Sequence, residues 1–554
     1  TVAEAGDYEK AFEYAERSKN RGFLDQVGAR TALALDGVTE QDRALYESLV
    51  AKTETARDTL VQLNRLESGK GNDSQLKECG IELDTDERAL ASLDARLGSQ
   101  IPKYRSLRNP DAITGKALMD WCGPKRAILE YVLWNPSAEK NLLLGTSLTD
   151  AEKQYSLDGF KGERLKCWCL VATDSRLMAV PLDPEFDYAG SVSDVVRKIR
   201  SGEYSETMVD QCRMLYGKLI DPVMKFIPPD TERIVIVPDG CLSSLPFDIL
   251  RGSRSGPDFG SRYSISLSPA ISVSALAGKQ AENDGNSALL LGGSLYGTAS
   301  SRADDGTDDP NANRAATISK RKLNQNAYAS MSGADLVAMK EAAMAKGAGA
   351  YYADRGFSWL DLPGTGSEID RLVSGAFAGR YVRTLTGACA SEESLKDLSR
   401  SGELRRYDFV HLACHGYFDE LVPEMSSVIL SEVSGRVVDS SEDGYLTVPE
   451  TSLLNFNARM VCLSACETGL SAQKGGDGMI GLSRAYIVAG ARKVGVSLWS
   501  VDDEAAAEFM ARVYERVLKD KMTFVSAYHA VKLEFRTDAR WSNPCYWAAF
   551  TLYE

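Results

Sequence analysis

The sequence predicts an α/β protein: a mostly parallel sheet sandwiched by helices, preceded by an all-α region. Three observations predict it. Short runs apolar on both sides recur from about residue 120 onward, among them RIVIVPDG (Arg233–Gly240), ALLLGG (Ala288–Gly293), YDFVHLAC and ARMVCLSAC. Amphipathic stretches separate these runs, as a parallel sheet covered on both faces requires. Before about residue 120 the apolar residues repeat at helical spacing instead.

In order along the chain, Tyr8, Ala11, Phe12 and Ala15 fall on one helical face, and Leu45, Leu49, Ala56, Leu60 and Leu63 continue the pattern. SGKGND (Ser68–Asp73) breaks it, and Leu90, Leu93 and Leu97 mark another helix. Residues 1–118 are therefore expected to be helical, a hairpin following the end of a helical array. Residues 119–296 carry the strands RAILEYVLW, RLKCWCLVAT, RLMAVPL, RIVIVPDG and ALLLGG, with a helical stretch near Ser191–Phe226. Residues 297–357 interrupt them with GTASSRADDGTDDPNANRAATISKRKLNQN, too poor in large apolar residues to build a core, and are expected to be a mobile insertion. The α/β pattern resumes over 358–554: the helix GSEIDRLVSGAF, the strands RYVRTLTG, YDFVHLAC and ARMVCLSAC, and a helix ending at Gly490. The strand RKVGVSLW, helices over Asp503–Lys519 and Phe524–Phe535, and the strand YWAAFTLYE close it.

Composition bounds the function. Net charge is −14, from 64 Lys and Arg against 78 Asp and Glu. Such a balance argues against direct nucleic-acid binding, which needs a basic surface to neutralise phosphates. No run reaches the roughly 18 apolar residues of a membrane span, and no secretory signal opens the sequence. The eleven cysteines show no framework spacing and read as the reduced thiols of a cytoplasmic protein. Cys167 and Cys169 read as half-buried strand thiols.

The chemistry concentrates in YDFVHLACHGYFDE, which holds two of the three histidines, His411 and His415, beside Cys414. On a helix the i, i+4 pair would suit zinc. On the strand that Phe409–Ala413 predicts, four residues span about 13 Å, too far for one ion. No metal or other cofactor is expected. Cys414 and His415 are adjacent, so their side chains point to opposite faces of a strand. His411 is then strand core, Cys414 a packing thiol, and the nucleophile for His415 comes from another strand. MVCLSACETG (Met460–Gly469) supplies Cys466 where a buried strand runs into a small-residue turn. If the two strands are neighbours, His415 and Cys466 share one sheet edge, where open parallel sheets bind ligands. The N–H groups of Gly416 and Cys466 would serve as an oxyanion hole. Cys462, inside the strand, reads as core. Glu467, Asp477 and His529 read as solvated, loop-stabilising or structural.

HLACHGYF, LSACETG, GLSRAYIVAGARKVGVSLWSVDDEAA and NPCYWAAFTLYE resemble the CHAT family of caspase-like cysteine peptidases. RIVIVPDGCLSSLPFDIL and LPGTGSEIDRL resemble that family's upstream blocks, and FEYAERSKNRGFLDQ resembles the end of a tetratricopeptide array. The resemblance implies the class of caspases, separase and gingipains, with His415 and Cys466 as the dyad. Their separation of 51 residues matches the roughly 50 of the caspase pair. It also implies a caspase-like fold in which residues 119–296 are a degenerate protease-like half and 358–554 the active half. The implied activity is cleavage of a protein substrate through an acyl-enzyme. A regulatory protein or ribonucleoprotein would dock on the helical region, as in CRISPR-associated relatives with a role in antiviral defence.

The segment SLWSVDDE bears on specificity. Asp502 and Asp503 would pair a basic substrate side chain, with Trp499 as a wall; equally, they would open the next helix, where negative charge suits the dipole. A basic preference would make the loop Lys320, Arg321, Lys322 a self-cleavage site. Two other readings stay open: a caspase-like scaffold without activity, and a zinc- or thiol-based redox protein.

Overall fold

The computed structural model describes residues 6–16, 38–53 apart from 40, 47, 50 and 51, 73–101, 113–134, 166–277, 285–296, 347–361 apart from 356, 358 and 360, 362–419, 422–431, 442–464 and 481–554. They fall in two compact units. The smaller comprises Asn20–Ala112 and Pro136–Glu163. Its core joins Val38, Tyr46 and Leu49 to Leu93, Leu97 and Ile101, the last turns of the helix Asp73–Gln100 and the residue after it. Arg96 of that helix donates to Asp42 at 2.5 Å.

The larger unit comprises Thr1–Lys19, Ile113–Asn135 and Arg164–Glu554 and is built on one eleven-stranded sheet. Its strands are β1 (Arg126–Trp134), β2 (Lys166–Ala172), β3 (Leu177–Pro181), β4 (Arg233–Val237), β5 (Ser264–Leu267), β6 (Ala288–Gly292), β7 (Val382–Thr386), β8 (Phe409–Ala413), β12 (Met460–Ser464), β13 (Val494–Ser497) and β14 (Phe550–Tyr553), in the spatial order β3-β2-β1-β4-β5-β14-β13-β12-β8-β6-β7. The remaining strands, β9 (His415–Tyr417), β10 (Ser427–Ile429) and β11 (Tyr445–Thr447), form a separate antiparallel sheet in the order β11-β10-β9. Within the large sheet only the pairings β1–β2, β2–β3 and β13–β14 are antiparallel. The mostly parallel α/β fold expected from the apolar runs is the fold observed.

The helices of six or more residues described in this unit are α1 (8–16), α2 (Gly115–Cys122), α3 (Tyr188–Arg200), α4 (Glu206–Leu219), α5 (Ile271–Ala277), α6 (Ala348–Ala353), α7 (Pro363–Ser374), α8 (Glu392–Arg400), α9 (Val448–Leu453), α10 (Leu482–Val488), α11 (Asp503–Leu518) and α12 (Phe524–Thr537). The expected helical stretch near Ser191–Phe226 is broken between α3 and α4, where Gly202 takes a positive φ of 73° and Ser205 caps the second helix.

Three details differ from the expected domain map. First, α1 packs in the larger unit: Phe12 and Ala15 share a core with Leu118, Ile128 and Val235. Glu16, buried, accepts from the N–H groups of Ile271 and Ser272 at the start of α5. Second, a boundary at 296 falls one strand too late, because β6 is hydrogen-bonded to β7 and β8 rather than to β1–β5. Third, α6 lies inside the expected insertion. Tyr351 and Tyr352 bury that helix beside Met425 and Tyr445, contacts distant in sequence that no local pattern announces.

Winding order positions the site. The chain passes from β6 through α7 to β7 on one side, then returns through α8 to β8 on the other side of β6. Right-handed crossovers place two such connections on opposite faces of the sheet. The carboxyl ends of β6 and β8 therefore flank a topological switch point, the place where open α/β sheets form a binding crevice.

Candidate functional site

β8 is buried throughout, so both faces carry apolar side chains. Alternation sends Phe409, His411 and Ala413 to one face. There Phe409 meets Tyr514 of α11 and Phe524 of α12. His411 is fully buried, as strand core should be. It is not apolar core, however. Its Nε2 lies 3.0 Å from Glu368 Oε1 of α7, and its Nδ1 lies 3.2 Å from the Tyr514 hydroxyl. Burial opposes the charged imidazole, but Cys462 and the Glu368 carboxylate outweigh it and raise His411 to about 10. A buried carboxylate touching a ring nitrogen makes the charged form the favoured one.

β8 ends at Ala413, Cys414 is buried, and His415 opens β9. The His415 ring is half-buried. It lies 4.8 Å from the Tyr296 ring and 5.1 Å from the Trp359 ring, centroid to centroid. Tyr296 arrives from the end of β6, held by its N–H donating to Asp361. Its hydroxyl accepts from the His415 N–H at 3.2 Å and donates to the Ile429 carbonyl at 3.0 Å. It thus occupies one rung of the β9–β10 ladder, in which His415 pairs with Ile429. Trp359 is fixed in turn, its Nε1 donating to the Tyr445 hydroxyl at 2.8 Å.

The direction of the Gly416 N–H follows from the pleat. Leu430 donates to Gly444, and Val448 donates to Ser426, so the even-numbered residues of β10 bond toward β11. Ser427 and Ile429 then bond toward β9, where their partners are Tyr417 and His415. Gly416, opposite Val428, directs its N–H away from β10.

β12 is the parallel neighbour of β8, in a register that pairs Met460 with Phe409, Cys462 with His411 and Ser464 with Ala413. Cys462 is core, its Sγ 3.6 Å from Met510 Sδ. Ser464 donates to Glu368, with Oγ 3.0 Å from Oε1 and 3.1 Å from Oε2. Cys466, Glu467 and Asp477 lie outside the described residues, as do Lys320, Arg321 and Lys322.

Trp499 is 1% exposed and spends its indole N–H on the Cys545 carbonyl at 3.0 Å. Asp502 caps α11, accepting from the N–H groups of Glu504 and Ala505. Asp503 stands in the first turn of α11, its carboxylate against the start of α7: a Cβ at Gly364 would come within 2.7 Å of it. His529 lies on α12, where burial lowers its basicity. Burial pushes the thiol of Cys167 up to about 11 and those of Cys212 and Cys241 to about 12, which leaves them protonated and inert at neutral pH. Among the described residues no group of three or more His, Cys, Asp or Glu could hold a metal ion, and no helix is long and apolar enough to cross a membrane. The pattern-based reading passed over Glu368, Tyr296 and Trp359. Glu368 alone carried a signal, a carboxylate on the inward side of a helix that caps a buried strand.

A family model for the CHAT domain matches residues 209–554. Tetratricopeptide repeat protein 28 of Mus musculus is 31% identical over 107 residues, which is 19% of this chain and 4% of that protein. Its Homo sapiens counterpart is 25% identical over 221 residues, 35% of this chain and 8% of that protein. The chain thus aligns with less than a tenth of the length of either curated relative. Among solved structures, the Saccharomyces cerevisiae separase–securin complex matches with a TM-score of 0.39 at 8% identity, covering 91% of this chain and 37% of that one. The complex of Porphyromonas gingivalis RgpB pro- and mature domains matches with a TM-score of 0.34 at 9% identity, covering 66% and 76%.

Proposed function

The chain belongs to the CHAT domain family, and from that premise we propose that it is a cysteine endopeptidase whose dyad is His415 and Cys466. One observation supports the pairing above the others. Ala413 and Ser464 are register partners on adjacent parallel strands, and His415 and Cys466 each follow their strand's partner by two positions. By sequence, both residues come just past the carboxyl ends of adjacent parallel strands, where open sheets bind ligands.

The chemistry follows from the residue types. The Cys466 thiolate attacks the peptide carbonyl carbon, a C–S bond forms and the carbonyl electron pair becomes an oxyanion. The outward N–H of Gly416, with that of Cys466, donates to this oxyanion and stabilises its charge. As the oxyanion collapses the C–N bond breaks, and the His415 imidazolium passes its proton to the leaving amine. His415 then takes a proton from water as the water attacks the thioester carbon; the C–S bond breaks, the acid leaves, and the Cys466 thiolate and His415 imidazolium are restored. The curated relatives are tetratricopeptide repeat proteins, and repeats of that class offer extended binding surfaces. We read residues 1–118 accordingly as the dock for an activating protein or ribonucleoprotein, in a cytoplasmic defence role.

Labelling with a peptidyl electrophile, read by mass spectrometry, tests the dyad. The expected adduct sits on Cys466 and is lost in Cys466→Ala and strongly slowed in His415→Ala. An unmodified Cys466 in the presence of the partner would favour a scaffold without activity.

A further inference from the structure

Among the described residues, Glu368 is a buried titratable group that touches both dyad strands and that the dyad chemistry leaves unused. It comes from α7, within the LPGTGSEIDRL block, and is 4% exposed. One carboxylate serves two strands: His411 Nε2 of β8 at 3.0 Å, and Ser464 Oγ of β12 at 3.0 and 3.1 Å. Tyr514 of α11 holds the other ring nitrogen of His411. His411 and Tyr514 are both fully buried. A buried charged pair is a poor way to stabilise a core, since apolar residues of similar volume are often as good or better. Here His411 stands four residues before His415, and Ser464, at the last position of β12, two before Cys466.

We propose that Glu368 is a positioning residue: by holding His411 and Ser464 at once it fixes the spacing of the two strands that deliver His415 and Cys466. The inference rests on the dyad assignment above. His411 gives the bridge its charge, and Ser464 is the link nearest the nucleophile. A bridge of this kind acts on reaction geometry, where displacements near 1 Å cost up to about 100-fold in rate.

The test is the alkylation rate of Cys466 with iodoacetamide across pH, resolved by peptide mass spectrometry, in wild type, His415→Ala, Glu368→Gln and Ser464→Ala, with the melting temperature measured in parallel. Positioning predicts that Glu368→Gln and Ser464→Ala remain folded, alkylate about 10- to 100-fold more slowly at neutral pH, and move the midpoint of the pH profile toward that of His415→Ala. A purely structural bridge would lower the melting temperature and leave the midpoint where it is, which overturns the inference while the dyad survives. Wild-type behaviour in His415→Ala would instead overturn the dyad, and the inference with it. If Glu368→Gln fails to fold, Ser464→Ala, which removes one hydroxyl from a half-buried position, decides alone.

Discussion

At the scale of single residues, His411 and His415 sit four positions apart in entirely different surroundings. His411 is raised to about 10, against its ordinary 6.5, because Cys462 and Glu368 outweigh the cost of burial. A group whose folded-state value is raised stabilises the fold fully below its unfolded value and loses that contribution as pH rises through the folded one. Denaturant unfolding between pH 6.5 and 10 should therefore show stability falling with pH, by at most about 1.4 kcal/mol per unit for one proton. Glu368→Gln, which removes the carboxylate, should flatten that slope; an equally steep fall in both proteins would show that Glu368 is not what raises His411, and no fall in either would show that His411 is neutral. His415 instead packs against the tilted rings of Tyr296 and Trp359. The sequence separated His411, as strand core, from His415 beyond it, because alternation along a buried strand is a local property; that His415 opens a further strand, β9, it did not show. It left Glu368 without a partner and gave no sign of Tyr296 or Trp359. Those contacts span 43, 119 and 56 residues of chain and depend on strand order, which no periodicity encodes.

Among the elements, legibility follows length and pattern. The long strands were readable because they are apolar on both faces, as in β4, β6, β8 and β12. β9, β10 and β11 have three residues each, too few for any period to show. β5, SISL, alternates serine with apolar residues and hides among turns. The caps, by contrast, are local chemistry. Thr447 and Glu450 form a reciprocal capping box at the start of α9, with Pro449 in its first turn. The Thr447 hydroxyl donates to Glu450 Oε2, and the same carboxylate accepts the Thr447 N–H at 3.0 Å. Thr447→Ala should cost about 1 kcal/mol, within the usual range for a lost N-cap. Because Thr447 also ends β11, beside the Tyr445 that steadies Trp359, hydrogen exchange in β9–β11 should quicken more than in β8. Protection loss shared equally by the large sheet would assign the cap a global role instead.

At the scale of the larger unit, β14 joins the two halves of the sheet, pairing in parallel with β5 and antiparallel to β13. Side chains reinforce the seam. Lys532 of α12 is buried and donates to Asp248 at 2.6 Å, and Arg536 reaches Asp258 at 3.0 Å and the Asp248 carbonyl. Asp248 and Asp258 lie between β4 and β5, in the half expected to be protease-like but degenerate. Residues 119–296 therefore help to hold in place the part of the unit that carries β13, β14 and α12. Burial pushes the Lys532 ammonium below its ordinary range, and the facing Asp248 opposes that shift. Removing one partner leaves the other buried without compensation, which costs about 3–5 kcal/mol, while replacing both at similar volume is far milder. Lys532→Met and Asp248→Asn should each lower the denaturation midpoint sharply, and the double variant should recover most of the loss. The coupling in that double-mutant cycle separates a seam held by charge from one held by strand pairing alone: additive losses would leave β14 as the sole tie, and a large positive coupling would show that the two halves are locked by ions as well as by backbone.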